Sequence, residues 1–240
     1  MQMPECNLDQ LTGERFTNLM QKGYVVINDF FAYREASQLL GPVMANMFLL
    51  EMESKFTIRR PRYAADVLTR VDKFLDFNLS QLEGNEDLAI LNKLAKLQFF
   101  IPYEINKKAQ LNLQVSEQFQ MSFVDKDHAF IKRRADSVFG KHDSGLKLTM
   151  LFVVGVNENK RGPLLKLYRQ SEPSEEDPFE TIRLKGNTMI LFNSRAFEYE
   201  VCESTAKTLL LFNMVPGPAQ PPVNPGPSFI SNWMAIFLLN

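Results

Sequence analysis

The sequence predicts an α+β, mainly β domain, either a barrel or a sandwich, braced on one face by helices near its beginning. Apolar residues recur at helical spacing in parts of residues 1–108, and they alternate with polar residues from Ala109 onward. The later apolar segments are short and are separated by clusters of Gly, Asn, Pro and acidic residues. We therefore predict one domain over residues 1–215, with helical support in 1–108 and the barrel in 109–215.

The first 108 residues contain one clear strand pattern between helical patterns. The strand is Gly23–Ile27, which is β-branched and is followed by Asn28-Asp29. Apolar residues at helical spacing predict helices over Leu11–Met20, Ala36–Phe48 and Asn85–Leu97. Between the last two, Lys55–Arg62 forms a basic patch, which we interpret as a solvated loop or sheet edge, with an acidic partner as the alternative.

From Ala109 the period changes to two, which is typical of half-buried strands. The pattern predicts strands at Leu111–Val115, Phe119–Phe123, Leu146–Val154, Pro163–Tyr168, Thr188–Phe192 and Thr208–Met214.

The C-terminal part has a different composition. Residues 216–228 are rich in Pro and Gly and predict an extended linker. The apolar tail 229–240 is too short to span a bilayer. It either docks on its own domain or binds a protein partner, and its candidate contact residues are Phe229, Ile230, Trp233, Ile236 and Phe237.

Composition excludes several classes of function. The chain has 27 Lys and Arg against 28 Asp and Glu, a formal net charge of −1, so a nucleic-acid partner is not expected. Cys6 and Cys202 are the only cysteines, which excludes a disulfide framework and a four-thiolate zinc site. No apolar stretch is long enough for a membrane span, and the first twenty residues have no signal-peptide pattern. We expect a cytoplasmic protein.

The order of the segments over Gly23–Val215 resembles the prolyl 4-hydroxylase-like branch of the 2-oxoglutarate- and iron-dependent dioxygenases. The resemblance implies a double-stranded β-helix, a jelly-roll or cupin-like barrel of two sheets. In that family two histidines and one carboxylate hold Fe(II), and a basic residue binds 2-oxoglutarate. The matching blocks are Gly23–Phe31, Phe130–Ser137, Leu146–Phe152, Gly162–Tyr168, Asn187–Phe192, Tyr199–Val201 and Lys207–Phe212.

The resemblance also locates the family's metal site, and there the sequence departs from the pattern. Arg134 stands at the first histidine position, Asp136 at the carboxylate position and Tyr199 at the second histidine position. A guanidinium has no lone pair for a metal, and a phenol is a poor ligand for ferrous iron. Lys207 stands at the co-substrate carboxylate position. Because Asp136 is two residues from Arg134 on the same strand face, we expect the two to form an ion pair in the place of the metal.

The two histidines of the chain, His128 and His142, do not restore the ligand set. A shift of register would place His142 beside Asp143, but Lys141 would then replace the first imidazole. His128 follows Asp125 and Asp127 in a predicted turn, where we interpret it as a solvated side chain.

Three functional hypotheses follow. The first is a non-catalytic dioxygenase-fold protein, a pseudoenzyme that acts as an interaction or scaffold module, with no cofactor and with a protein partner, reached in part through the apolar tail. The second is an active prolyl-hydroxylase-like oxygenase that uses Fe(II) and 2-oxoglutarate with an unconventional ligand set including Asp136. The third is a metal-free module that binds a dicarboxylate through Arg134 and Lys207. We favour the first.

Overall fold

A computed structural model of the chain describes its β-rich part and two helical segments. The described residues are 13–32, 57–58, 69–70, 73–78, 101–109, 111–114, 118–124, 129–137, 145–156, 161–171, 177–204, 206 and 208–217. The predicted helices over 36–48 and 85–97 lie outside them, as do the basic patch apart from Thr57–Ile58, both histidines, Lys207 and the tail 229–240.

The predicted first helix and strand are confirmed. Helix α1 spans Glu14–Lys22 and leads directly into strand β1, Tyr24–Ile27. Gly23 joins them in the left-handed conformation, with φ of 82°, and its N–H donates to the Leu19 carbonyl over 3.1 Å. Glycine ends a helix in this way without strain because it has no Cβ.

Two antiparallel sheets make up the rest of the described fold. Strands β2–β6 span Thr57–Ile58, Thr69–Arg70, Lys73–Asn78, Gln118–Val124 and Ala129–Arg134. Strands β7–β12 span Leu146–Val156, Leu164–Arg169, Glu180–Arg183, Thr188–Asn193, Phe197–Ser204 and Thr208–Pro216. One sheet has the order β1-β10-β7-β12-β5-β4-β2, and the other has the order β3-β6-β11-β8-β9. A second helical segment, α2, covers residues 101–109.

The inward faces of the two sheets form the core. Most inward-facing residues of the central strands are apolar and buried, as the pattern in the sequence predicts. The seven-stranded sheet contributes Leu151, Val153, Ile190, Phe192, Leu210 and Phe212, and the five-stranded sheet contributes Ile131, Leu165, Leu167, Phe197, Tyr199 and Val201.

The opposite face of β7 also buries an aromatic cluster. Phe30, Phe31 and Phe152 are each 1% exposed, and their ring centroids lie 5.1 to 5.8 Å apart. Phe30 and Phe31 follow β1, so this cluster joins the N-terminal segment to the seven-stranded sheet. Aromatic pairs at such distances stabilise a fold beyond their burial alone.

The structure corrects the prediction of a strand at Leu111–Val115. Residues 111–114 are described and are not a strand, although Leu111 and Leu113 are buried as the alternation indicated. The side-chain amide of Asn106 satisfies both backbone groups of Leu113, and Asn112 has a φ of 51°. A left-handed residue does not continue an extended strand.

The sequence pattern did not predict six of the twelve described strands, which are β2, β3, β4, β6, β9 and β11. The short β2, β3 and β4 lie within residues 1–108, where the sequence predicted helical support, and they extend both sheets. Strand β9, Glu180–Arg183, pairs with β8. No helix among the described residues is long and apolar enough to cross a membrane.

Candidate functional site

Arg134, at the end of β6, points into the barrel because of a β-bulge. Ile131 pairs with Val201 of β11, and Arg134 pairs with Tyr199, so three residue steps of β6 match two of β11. With regular alternation, Arg134 would face the opposite side from Ile131. The extra residue reverses that, because a bulge re-aims the side chains that follow it. Arg134 therefore faces Tyr199 between the two sheets.

Arg134 and Tyr199 form a close polar pair. The guanidinium donates two hydrogen bonds to the Tyr199 hydroxyl oxygen, from Nε over 2.9 Å and from Nη2 over 2.7 Å. The Tyr199 hydroxyl in turn donates to Oδ1 of Asp136 over 3.2 Å. The three side chains that the sequence predicted at metal-ligand positions are thus in contact with one another, with the Tyr199 hydroxyl between the cation and the carboxylate.

The other oxygen of Asp136 is bound by the seven-stranded sheet. Thr149, on the inward face of β7, donates to Oδ2 of Asp136 over 2.7 Å. Its oxygen lies 2.8 Å from the hydroxyl of Ser194, in the turn after β10. Because Thr149 has one hydroxyl hydrogen and gives it to Asp136, Ser194 must be the donor in the second bond. We call Arg134, Tyr199, Asp136, Thr149 and Ser194 the polar relay.

Gln170 holds the two loops that contribute to the polar relay. Its Nε2 lies 2.7 Å from the Ser137 carbonyl oxygen and 3.0 Å from that of Ser194, with the Phe197 carbonyl at 3.2 Å. Ser137 follows Asp136 directly, so this one amide fixes the segment after β6 against the turn between β10 and β11. Buried backbone acceptors require such partners.

Tyr199 is a neutral phenol in this environment. It is fully buried, and its ring packs on Phe192 and Phe212 at centroid distances of 5.3 and 6.2 Å. Burial raises the pKa of Tyr199, and the negative charge of Asp136 raises it further, whereas Arg134 acts in the opposite direction. Burial by itself lowers the pKa of the Arg134 guanidinium. Its interactions with Tyr199 and Asp136 outweigh burial, so the pKa of Arg134 is raised. The relay therefore contains one cation, one phenol and one carboxylate.

The expected arrangement of Arg134 and Asp136 needs one correction. We predicted that both would lie on one face of a strand and pair directly. Strand β6 ends at Arg134, so Asp136 lies beyond the strand. The Tyr199 hydroxyl bridges the two side chains, because the bulge places it opposite Arg134.

These residues do not fit a ferrous ion. The N–H groups of Arg134 point at the Tyr199 oxygen, and a guanidinium offers no lone pair to a metal. Tyr199 keeps its proton, and Asp136 is the one anionic ligand of the relay. Within the described ranges, no three His, Cys, Asp or Glu side chains come together as a metal site. Ferrous sites of this type need two imidazoles and a carboxylate on one face.

Sequence reasoning missed Thr149, Ser194 and Gln170. Thr149 is the one hydroxyl residue in the apolar strand β7 and is 0% exposed, and a buried polar residue in such a strand signals a hydrogen-bonding role. Ser194 and Gln170 carry no comparable signal. The structure describes neither Lys207 nor the tail residues Phe229, Ile230, Trp233, Ile236 and Phe237, so their predicted roles stay predictions.

The sequence has no match among family models or curated proteins, but the fold is similar to that of several solved structures. A Pseudomonas putida prolyl-4-hydroxylase aligns with a TM-score of 0.64 at 12% identity, covering 85% of this chain and 98% of that one. A Trichoplax adhaerens prolyl hydroxylase, solved with a hypoxia inducible factor peptide, aligns with a TM-score of 0.63 at 13% identity, covering 87% and 90%.

A third solved structure also has a similar fold. An oxidoreductase of the 2OG-Fe(II) oxygenase family from Burkholderia pseudomallei aligns with a TM-score of 0.53 at 14% identity, covering 88% of this chain and 93% of that one. Likeness at such low identity concerns the arrangement of strands and leaves the chemistry of the site to the residues. The chain has the double-stranded β-helix fold of the prolyl 4-hydroxylase-like 2-oxoglutarate oxygenases.

Proposed function

We propose that this chain is a non-catalytic protein of the oxygenase fold that serves as an interaction or scaffold module. The observation that carries the proposal is the Tyr199 hydroxyl, which accepts two hydrogen bonds from Arg134 and donates one to Asp136. In this arrangement the side chains at the metal-ligand positions satisfy one another. One fold supports many functions, so the residues of the site carry more weight for the function of this chain than its fold.

Loss of iron follows from the donors in the polar relay. An iron ion would need Arg134 to leave Tyr199, and it would place a metal cation beside a guanidinium that keeps its charge. Both oxygens of Asp136 already accept hydrogen bonds, from Tyr199 and Thr149. One carboxylate in this setting is a weak site compared with a three-ligand set.

The interaction role involves the barrel mouth and the apolar tail. Without a metal, the loops at the mouth of the barrel remain as a surface for a peptide or protein. The apolar tail 229–240 is a second candidate contact with a partner. We also propose that the protein is located in the cytoplasm. A pull-down with the full chain and with a chain truncated after residue 217 tests the tail, because loss of a stable partner on truncation is the expected result.

Metal binding is the decisive experiment. We expect calorimetry with Mn²⁺, alone and with 2-oxoglutarate, to show no binding by the natural chain. The double variant Arg134→His and Tyr199→His is the matched control, because it restores two imidazoles beside Asp136 and should bind Mn²⁺. Micromolar binding by the natural chain that is lost in Asp136→Ala would overturn the proposal.

An oxygenase with an unconventional ligand set is the second candidate function. The similarity to prolyl hydroxylases over most of the chain favours it, and Asp136 remains at its position. Oxygen uptake and succinate release with Fe²⁺, 2-oxoglutarate and proline-containing peptides test it. Turnover that disappears in Asp136→Ala would establish this second function, and we expect none.

A further inference from the structure

The guanidinium of Arg134 has two edges, and the polar relay uses one of them. Nε and Nη2 form the side-on edge, and both donate to the Tyr199 oxygen. The end-on edge consists of one Nη1 hydrogen and the second Nη2 hydrogen. Among the described residues, none accepts a hydrogen bond from this end-on edge. Arg134 therefore keeps a planar fork of donors for a further acceptor.

This fork is accessible, in contrast to that of the neighbouring arginine. Arg134 is partly exposed. Its Nη1 atom, which has no acceptor among the described residues, is not fully buried. Arg133 points to the outer face of the five-stranded sheet, where it pairs with Glu198 and stacks on Tyr168 at 4.0 Å. The bulge thus separates two adjacent arginines into an outer ion pair and an inner donor group.

The fork is also held in a fixed orientation. Two hydrogen bonds tie it to a side chain that is fully buried, and its Cζ lies 5.2 Å from the centroid of the Tyr199 ring. A preorganised arginine loses less side-chain entropy when it binds a ligand. The geometry selects a planar acceptor with two oxygens, since these match two parallel N–H groups.

We infer that the end-on edge of Arg134 binds a carboxylate through two parallel hydrogen bonds, without a metal. The carboxylate belongs either to a free small acid or to an acidic side chain of a bound peptide. The inference rests on the proposed function, because a metal at this position would displace Arg134. Asp136 lies on the far side of the Tyr199 hydroxyl, so it lowers the affinity by charge without blocking the fork.

The test is calorimetric titration of the full chain with succinate and with a short Glu-rich peptide, both in excess EDTA. We expect Arg134→Gln to abolish binding and Arg134→Lys, which keeps the charge but loses the fork, to weaken it about ten-fold. Arg133→Gln is the matched control, because it removes the same charge from the outer face and should leave the affinity unchanged. Asp136→Asn should tighten binding about three-fold or more.

The outcomes separate this inference from the proposed function. Absence of binding by either probe, or equal loss in Arg133→Gln and Arg134→Gln, overturns the carboxylate site and leaves the metal-free proposal intact. Binding that requires Mn²⁺ in place of EDTA overturns both. Tighter binding of succinate identifies a free acid as the ligand, and tighter binding of the peptide identifies an acidic partner. Circular dichroism of each variant confirms that it is folded.

Discussion

The Tyr199 hydroxyl oxygen lies 2.7 Å from Nη2 and 2.9 Å from Nε of Arg134, its cross-strand partner on β6. This contact joins two of the positions that the sequence analysis predicted as degenerate metal-ligand positions. The buried phenol therefore links the Arg134 guanidinium to the Asp136 carboxylate. Asp136 also accepts a hydrogen bond from Thr149, so the contacts connect the five-stranded sheet to the seven-stranded sheet.

Removal of the Tyr199 hydroxyl should destabilise the fold. Tyr199→Phe leaves the ring packing on Phe192 and Phe212 in place, but Asp136 loses a donor and Arg134 an acceptor. We expect the free energy of unfolding in urea to fall by about 1–3 kcal/mol. Tyr168→Phe is the control, because that hydroxyl also donates to a carboxylate, Glu200, on the outer face, and its loss should cost about 1 kcal/mol or less. An equal loss in both variants would contradict a special role for Tyr199.

The hydrogen-bonded connection between the two sheets through Asp136 should depend on Thr149. Thr149→Val keeps the shape of the side chain but leaves Oδ2 of Asp136 without its donor and Ser194 without its acceptor. We expect a loss of about 1–3 kcal/mol, measured by chemical denaturation. Combined with Tyr199→Phe, the effects should not add, because both bonds end on Asp136. Thr188→Val, which removes a 3.3 Å contact to exposed Asn28, should be nearly neutral, and strict additivity in the double variant would argue against a connected relay.

Stability at high pH should depend on Tyr24. Its hydroxyl donates to Glu180, and burial together with that carboxylate raises the pKa of Tyr24 to about 12. The folded state therefore holds this proton where the unfolded state, with a pKa of about 10, releases it. The contribution is complete below about pH 10 and is lost as the pH rises toward about 12. Urea denaturation between these values should show a steeper loss for the natural chain than for Tyr24→Phe, and identical slopes would refute the coupling.

Gly162 should not tolerate a side chain. A Cβ at this position would overlap the backbone carbonyl oxygen of Leu184, and backbone has little freedom to move away. We expect Gly162→Ala to lower the free energy of unfolding by about 1–3 kcal/mol. Gly186→Ala is the control, since the nearest atom would lie 3.4 Å away in ordinary contact. A thermal melt of both variants decides the point, and an unchanged midpoint for Gly162→Ala would show that the strands separate easily there.

Local pattern predicted six of the twelve described strands, namely β1, β5, β7, β8, β10 and β12, and it was insufficient for the connections between the sheets. The apolar segments Leu146–Val154 and Thr208–Met214 predicted β7 and β12, because central strands of a covered sheet have few exposed positions. The same alternation at Leu111 and Leu113 predicted a strand wrongly, because Asn106 satisfies that backbone from seven residues away. Short strands such as β9 have too few residues for a period to be visible.

The sequence alone determined the chemistry of the site, since Arg134, Asp136 and Tyr199 offer one carboxylate and no imidazole whatever the fold around them. Only the tertiary structure decided their arrangement. A single bulge in β6 turns Arg134 inward, and pairing with β11 places the Tyr199 hydroxyl against it. Register and bulges depend on contacts between residues far apart in the chain, so no local pattern contains them.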